Sequence, residues 1–584
     1  MADERNRFEF NTMTASNVYG PTWYAETMAA TRQRLPLTYD IDVDVCVIGA
    51  GLAGLTTARE IARRGWSVAV LEAQHVASNA SGRSGGFVLP GFNQSNERII
   101  ERVGRDRAKA LWALSEEGVD YVRTTIRETG MPGVDRVEGW LSVQRIDDRA
   151  AIAAEAEFIT RELNTEVEIW PVEQVRAALN TQRYFQALHF PGAFHIHPLN
   201  YALGLAEAVE KAGAQIYEGT PALAIDPAGV RKRIDVPGAR VRAGHIVLAG
   251  NTQLGRVFPV VSQSIMPLSS YLAVTAPLGA QLNDAIAYRG GVSDTRRVYE
   301  YFRVVGGDRL MWGAHISARL SPPRNLGSRL ARDIHKVFPQ LGKIEIAHAW
   351  SGVMGFALHK MPLIGEVAPG LWVASGFAGH GINTTAMAGG LVARAIVEGD
   401  DRWRLFESFD LVWTGGIFGR AAAQMVFWGK RLRDVIDENL ARGHEPAAAA
   451  SREEGAASIA PDDSGPSEPP VGEAEGQAER ARPAEKLDAI AATSQRVKAK
   501  RSVRTATARN KTNRRKPAKV HVFATRDPAY AADWVKRGRA KNATGAIARG
   551  VAGAVPVRPA AAPPDGKPTP PRKSSKPESL NKPE

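Results

Sequence analysis

Cysteine is almost missing from this chain of 584 residues: Cys46 is the only one. That excludes an internal disulfide and any multi-cysteine zinc or iron-sulfur centre, and no metal site is expected. Long hydrophobic runs are missing too. No window reaches the roughly 18 uninterrupted apolar residues of a membrane span, and the opening MADERNRFEF mixes acids with arginines and lacks the apolar stretch of an export signal. A cytoplasmic protein is therefore expected. Aromatics run out toward the C-terminus, where only Phe523, Tyr530 and Trp534 lie beyond residue 445. The front of the chain has no real charge excess, because residues 1–445 hold 48 basic and 47 acidic side chains. The formal charge of +13 comes almost wholly from residues 446–584, with 27 basic and 15 acidic.

That C-terminal stretch is blocky. Residues 446–485 are net −6 and residues 486–584 net +18, punctuated by runs such as PSEPP and AAAPPDGKPTPP. It has too little apolar surface to offset its ordering entropy, so 446–584 is expected to be a disordered tail, acidic and then strongly basic. Lys498–Lys519 contains no acid and could hold nucleic acid or an anionic surface without sequence preference. A solvated linker is the simpler alternative.

Glycine is plentiful, at 55 residues, and it is placed. The apolar run Val43–Ile48 leads into Gly49-Ala50-Gly51-Leu52-Ala53-Gly54, then a stretch with apolar residues at helical spacing that stops at Gly65, then a second strand at Ser67–Leu71 ending in Glu72. This is a complete βαβ unit. Gly49 serves the tight turn, Gly51 lets backbone approach a pyrophosphate, and Gly54 lets helix pack closely on strand. The helix N-terminus offers free N–H groups and a positive dipole end. Glu72, 18 residues past Gly54, can accept from ribose hydroxyls, which argues against a 2′-phosphate. Cys46 lies within the first strand as a small buried hydrophobe.

The fingerprint alone does not separate FAD from NAD. After Glu72 and Ala73, the stretch Ala77–Gly86 is rich in small residues with one arginine, and its Ser81, Arg83, Ser84, Gly85 and Gly86 can wrap a pyrophosphate and reach a flavin. Far downstream, a strand at Leu371–Ala374 precedes Ser375-Gly376-Phe377-Ala378-Gly379-His380-Gly381-Ile382-Asn383 and a helix over Thr384–Val397, with Gly399 beyond its end. A second helix N-terminus there suits the negative edge of a reduced flavin. A simple NAD dehydrogenase needs no such second cradle.

These stretches together resemble the D-amino acid oxidase family of FAD-dependent amine oxidoreductases, the group containing glycine oxidase, sarcosine oxidase and gamma-glutamylputrescine oxidase. The carriers are VIGAGLAGL through VLE (47–72), ASGRSGG (80–86) and GFAGHG (376–381), supported by HIHPL (195–199), HIVLAGN (245–251) and PLIG (362–365). WYAET (23–27) and the arginine loop are most similar to the gamma-glutamylputrescine oxidase branch, with Ser84 where that branch commonly has asparagine. The resemblance covers about residues 20–440. It implies an α/β fold: a Rossmann-like FAD-binding domain interleaved with an α+β substrate domain on an antiparallel sheet. In residue numbers this means an N-terminal arm (1–40), FAD-binding parts near 41–90, 195–258 and 350–400, substrate parts near 91–194 and 259–349, and C-terminal helices at 401–445. It also implies hydride transfer from an amine or amino acid to the flavin, hydrolysis of the resulting imine, and reoxidation by oxygen or another acceptor. Relatives that bond the flavin use a late cysteine or a loop histidine; here Cys46 is early and Arg83-Ser84 fill the loop, so non-covalent FAD is expected.

Catalytic residues are harder to read. His197-Pro198 cap a helix over Leu199–Ala212, and short β-like runs at Tyr271–Thr275, Val298–Val304 and Leu310–Ile316 suit one wall of a substrate pocket. Tyr301 and Arg303, His315, Trp350, His359 and His380 are the candidates, Arg303 as a bidentate clamp for a substrate carboxylate. A polyamine-type substrate would want carboxylates and aromatic walls instead. No acid-base pair or nucleophile motif is present, and flavin amine oxidation does not require one.

Overall fold

Both faces of the strand Ile41–Ile48 are apolar in its second half, the pattern of a strand covered on two sides. A computed structural model describes residues 18–457 of the chain, with side chains as far as residue 441 in its last helix. In it, Ile41–Ile48 lies inside an eight-stranded sheet. The order is Leu363–Ala368, Leu371–Ser375, Ala239–Leu248, Ile41–Ile48, Val68–Leu71, Gln215–Tyr217, with Ala224–Asp226 and Lys232–Val236 forming an antiparallel ribbon beside Ala239–Leu248. The five strands from Leu371–Ser375 to Gln215–Tyr217 are parallel. Numbered along the chain and read from the Gln215 edge, they run 3-2-1-4-5. In such sheets the ligand crevice opens at the carboxyl ends where the order reverses, here between Ile41–Ile48 and Ala239–Leu248.

Helices Leu52–Ala62 and Gly381–Glu398 pack face to face over this sheet. The approach is close because Gly389 has no side chain: a Cβ there would lie 2.6 Å from the Cβ of Thr56. Helix Gly381–Glu398 ends on Gly399 in the left-handed conformation, φ 72°. Helix Pro198–Lys211 starts with His197 as N-cap, its ring accepting the Asn200 N–H.

The second sheet has nine strands in the order Ile346–Phe356, Met266–Thr275, Arg309–Ser317, Tyr301–Val305, Gly291–Asp294, Val137–Val143, Ala187–His195, Phe87–Val88, with Glu168–Trp170 alongside Ala187–His195. It is antiparallel except for one join, Gly291–Asp294 against Val137–Val143. The antiparallel sheet expected for the substrate part is thus present, with one parallel join between strands about 150 residues apart in sequence. The boundary expected near residue 350 cuts through the long strand Ile346–Phe356, which belongs to the second sheet.

The ends differ from expectation as well. Residues of the N-terminal arm are packed into the body: Tyr24, on the short helix Trp23–Glu26, is fully buried. The last helix, Gly416–Ala457, runs past residue 446, where the tail was expected to begin; the run Ala447–Ala450 favours helix, although Pro446 and Gly455 oppose it. The rest of the tail, residues 458–584, lies outside the described residues, as do the nucleic-acid or anionic-surface contacts expected of it. Among the described residues no helix is long and apolar enough to cross a membrane.

Candidate functional site

A cavity of about 770 Å³ lies at the switch point, walled by both sheets. Its first wall is backbone. Gly49 turns at φ 107°, with a virtual Cβ 2.9 Å from the Ala249 carbonyl, and a Cβ on Gly54 would overlap the Gly49 carbonyl oxygen. Both positions therefore demand glycine. Gly51 caps helix Leu52–Ala62 without a side chain, and a Cβ there would stand 3.0 Å from Ser81 Oγ, which accepts the Leu52 N–H at 3.1 Å. Glu72, at the end of the second parallel strand, accepts the Ala50 N–H at 2.8 Å and the Gln74 N–H at 2.9 Å. Burial pushes its carboxyl pKa up, and those two N–H groups oppose the rise.

The arginine loop is held from behind. Arg83 donates to the carbonyls of Ser78 at 3.0 Å and Tyr19 at 3.1 Å. Tyr24 donates to the Ser84 carbonyl at 2.8 Å, and Trp350 Nε1 to that of Arg83 at 3.1 Å. Ser84 Oγ, by contrast, is buried with no hydrogen-bond partner among the described residues. Opposite, helix Gly381–Glu398 points its N-terminus at the cavity with no side-chain cap, and the space beside Gly381 is open. His380 lines the cavity and bonds through Nε2 to the Leu89 carbonyl at 3.0 Å. Burial lowers its pKa, so it is a neutral tether.

Of the residues singled out in the sequence, Gly49, Gly51, Leu52, Ala53, Glu72, Ala73, Ser81, Arg83–Gly86, Tyr301, Phe377 and Gly379–Ile382 all line the cavity. Ala50, Gly54 and Gly376 sit just behind it as turn and packing positions. Arg303 does not line it. Its guanidinium donates to His195 Nδ1 at 2.9 Å, the Tyr24 hydroxyl at 3.1 Å and the Ile196 carbonyl at 3.0 Å. This corrects the carboxylate-clamp expectation, because the fork is already engaged inside the protein. His315 pairs with Asp333 at 2.6 Å, Trp350 bonds to Arg83, and His359 bonds to the Asp410 carbonyl at 3.2 Å; none of the three reaches the cavity. The wall facing the glycine turn is aromatic: Phe87, Trp140, Tyr299 and Tyr301, with Ser270 holding the Tyr301 hydroxyl at 3.1 Å.

Sequence reasoning missed Tyr299, although it stands two residues from Tyr301 and so shares its side of the chain by simple alternation. It also missed Asn251, whose Oδ1 accepts the Gly376 N–H at 3.2 Å and so ties the two cradles. The available signal was an asparagine just after a strand-like run, a residue type that tolerates the positive φ of 50° it adopts there. Asp294, at the far end of the cavity, was not legible at all. It meets Arg145 Nε at 3.3 Å within a buried cluster that joins its own neighbours Arg296 and Glu300 to Arg145 and Glu438 from two distant segments.

The open helix N-termini, the glycine cradle and the orphaned Ser84 hydroxyl fit a bound dinucleotide. The family model described as FAD dependent oxidoreductase matches residues 44–395. The OrdL protein of Haemophilus influenzae is 31% identical over 396 residues, spanning 66% of this chain and 90% of its own. The gamma-glutamylputrescine oxidoreductase of Escherichia coli is 29% identical, spanning 63% of this chain and 87% of its own. The glycine oxidase of Geobacillus kaustophilus superposes with a TM-score of 0.53 at 21% identity, covering 64% of this chain and 97% of its own.

Proposed function

The chain belongs to the family of FAD-dependent oxidoreductases that act on amines and amino acids, with FAD as its cofactor, and from that membership we propose that it oxidises a primary amine whose reacting carbon bears no carboxylate. A gamma-glutamylated diamine is the favoured substrate. The observation that supports this reading is the charge of the cavity lining. Among the described residues its basic side chains are Arg83, engaged with two carbonyls, and the neutral His380. The guanidinium of that lining, Arg83, turns its Nε and Nη2 to the Ser78 and Tyr19 carbonyls, away from the aromatic wall where the reacting carbon would rest.

FAD, when bound, supplies a two-electron hydride acceptor. The chain's own part is to hold and orient. The Gly49–Gly54 turn and the N-terminus of helix Leu52–Ala62 receive the pyrophosphate, Glu72 the ribose hydroxyls, and the N-terminus of Gly381–Glu398 the flavin edge. Phe87, Trp140, Tyr299 and Tyr301 exclude water and align the amine. The amine leaves as an imine, which water hydrolyses to a carbonyl compound and ammonia. Binding is non-covalent in this reading, since Cys46 is buried in the first strand and the His380 ring is tethered to Leu89. Acid precipitation should release all the flavin; a coloured pellet would refute it.

An anaerobic bleaching screen tests the substrate. The gamma-glutamyl amide of a diamine should reduce the flavin at least tenfold faster than glycine, N-methylglycine or a D-amino acid. Faster bleaching by any amino acid would overturn the proposal. Peroxide formation in air would assign oxygen as acceptor, the oxidase reading favoured here, and its absence would assign another acceptor.

A further inference from the structure

The last helix, Gly416–Ala457, meets the body through polar side chains together with Ala423 and Phe427, and turns a second apolar side to solvent. Gln424 accepts from Ser317 Oγ at 3.0 Å and from the Ala318 N–H at 2.9 Å. Asp434 takes Arg297 at 2.7 Å, and Glu438 takes Arg296 at 2.5 Å. On the other side Phe418, Met425, Trp428, Leu432, Val435 and Ile436 are each between 46% and 79% exposed.

We propose that this face is covered by a second copy of the chain, helix against helix, in a two-fold dimer. Three observations carry the choice of occupant. First, the six side chains leave roughly 700 Å² uncovered, above the roughly 300–600 Å² of the largest apolar patch on a typical monomer and close to the roughly 800 Å² per partner of a stable complex. Second, the period is that of a helix seam. Phe418, Met425 and Leu432 are seven residues apart, and so are Ala421, Trp428 and Val435, the two interleaved rows of a heptad. Ala421, Ala422 and Gly429 on the same side let another backbone approach. A self-complementary stripe of this kind closes on itself by two-fold symmetry. Third, the stripe carries little charge. Among the described side chains its exposed charged residue is Arg433, whereas a helix lying on an anionic membrane keeps a solvent-facing row of lysines and arginines; here Asp434, Glu438 and Arg431 are turned to the helix's own body.

Sedimentation of the full-length, flavin-loaded protein tests this. A dimer is expected at micromolar concentration. Leu432→Glu and Met425→Lys, which place opposite charges on the stripe without touching the body, should each weaken self-association at least tenfold and leave flavin content per chain unchanged. The proposal is overturned by a wild-type protein that stays monomeric up to 50 µM. It is equally overturned by a dimer that either variant leaves intact. Co-sedimentation of a monomer with phosphatidylglycerol vesicles that Leu432→Glu abolishes would assign the face to lipid, and a wild-type monomer whose truncation after residue 457 creates a dimer would assign it to the chain's own tail. Both outcomes would also refute the proposal.

Discussion

The two sheets meet the cavity in different ways. The eight-stranded sheet contributes backbone: a glycine turn, two helix N-termini and a loop whose own carbonyls are held from behind. The nine-stranded sheet contributes side chains, four aromatic rings and one end of a buried ion cluster. Backbone geometry is forced by residue type at each position, so it survives as a motif in one dimension. A side-chain surface is forced only by what faces it across the fold, and it leaves no comparable trace.

If that contrast is right, the glycine side should break sharply. Gly54→Val drives a branched side chain into the Gly49 carbonyl and should abolish flavin retention with a loss of stability above about 3 kcal/mol, read by absorbance near 450 nm and by thermal melting. The other side should break through its charges. Arg145→Met leaves the carboxylates of Asp294 and Glu300, both raised in pKa by burial, with one guanidinium fewer. A cost of about 3–5 kcal/mol in denaturant unfolding is expected, with flavin stoichiometry retained.

Acid should act in a graded way. Burial, with Arg303 adding to it, depresses His195 and His197 from 6.5 to about 3. As pH falls below about 6.5 the unfolded chain takes up these protons and the folded chain does not, so this contribution is present above 6.5 and lost progressively toward pH 3. The two rings together should give a slope of up to about 2.7 kcal/mol per pH unit. His197→Asn keeps an acceptor at the helix N-cap and should remove about half of that slope, measured as unfolding midpoint against pH. Asp294 and Glu300, whose folded pKa values are raised, act in the opposite sense: their contribution is present at low pH and fades as pH rises. The smallest effect should come from Ser84→Ala. The hydroxyl has no partner among the described residues, so the apo protein should change by less than about 0.5 kcal/mol, while FAD affinity should fall by about three- to tenfold for one lost hydrogen bond.

What was legible follows the same division. The strand-turn-helix at Gly49–Gly54, the loop at Ser81–Gly86 and the second cradle at Gly376–Ile382 could be read because few arrangements besides a tight turn under a ligand need glycine and small residues at fixed spacing. Tyr301 was reached by its strand pattern, and Tyr299 lay within reach of the same reasoning. Arg303 misled because a strand arginine near an aromatic wall looks the same in sequence whether its fork faces a ligand or, as here, His195 and Tyr24. The cluster joining Arg145, Asp294 and Glu438 depends on three distant segments meeting, which no local pattern encodes.

The solitary thiol gives this molecule a clock of its own. Cys46 is fully buried in the strand Ile41–Ile48, between the partners Ile246 and Ala69 and just below the glycine loop, and burial raises its pKa. A thiol reagent can therefore modify the described part of the chain only when that strand opens. Under slow-labelling conditions the rate of modification, divided by the reagent's rate with an exposed thiol, reports the free energy of opening of the central strand. Added FAD should slow the reaction in proportion to its occupancy, so affinity for the cofactor can be read from the chemistry of a residue that never touches it.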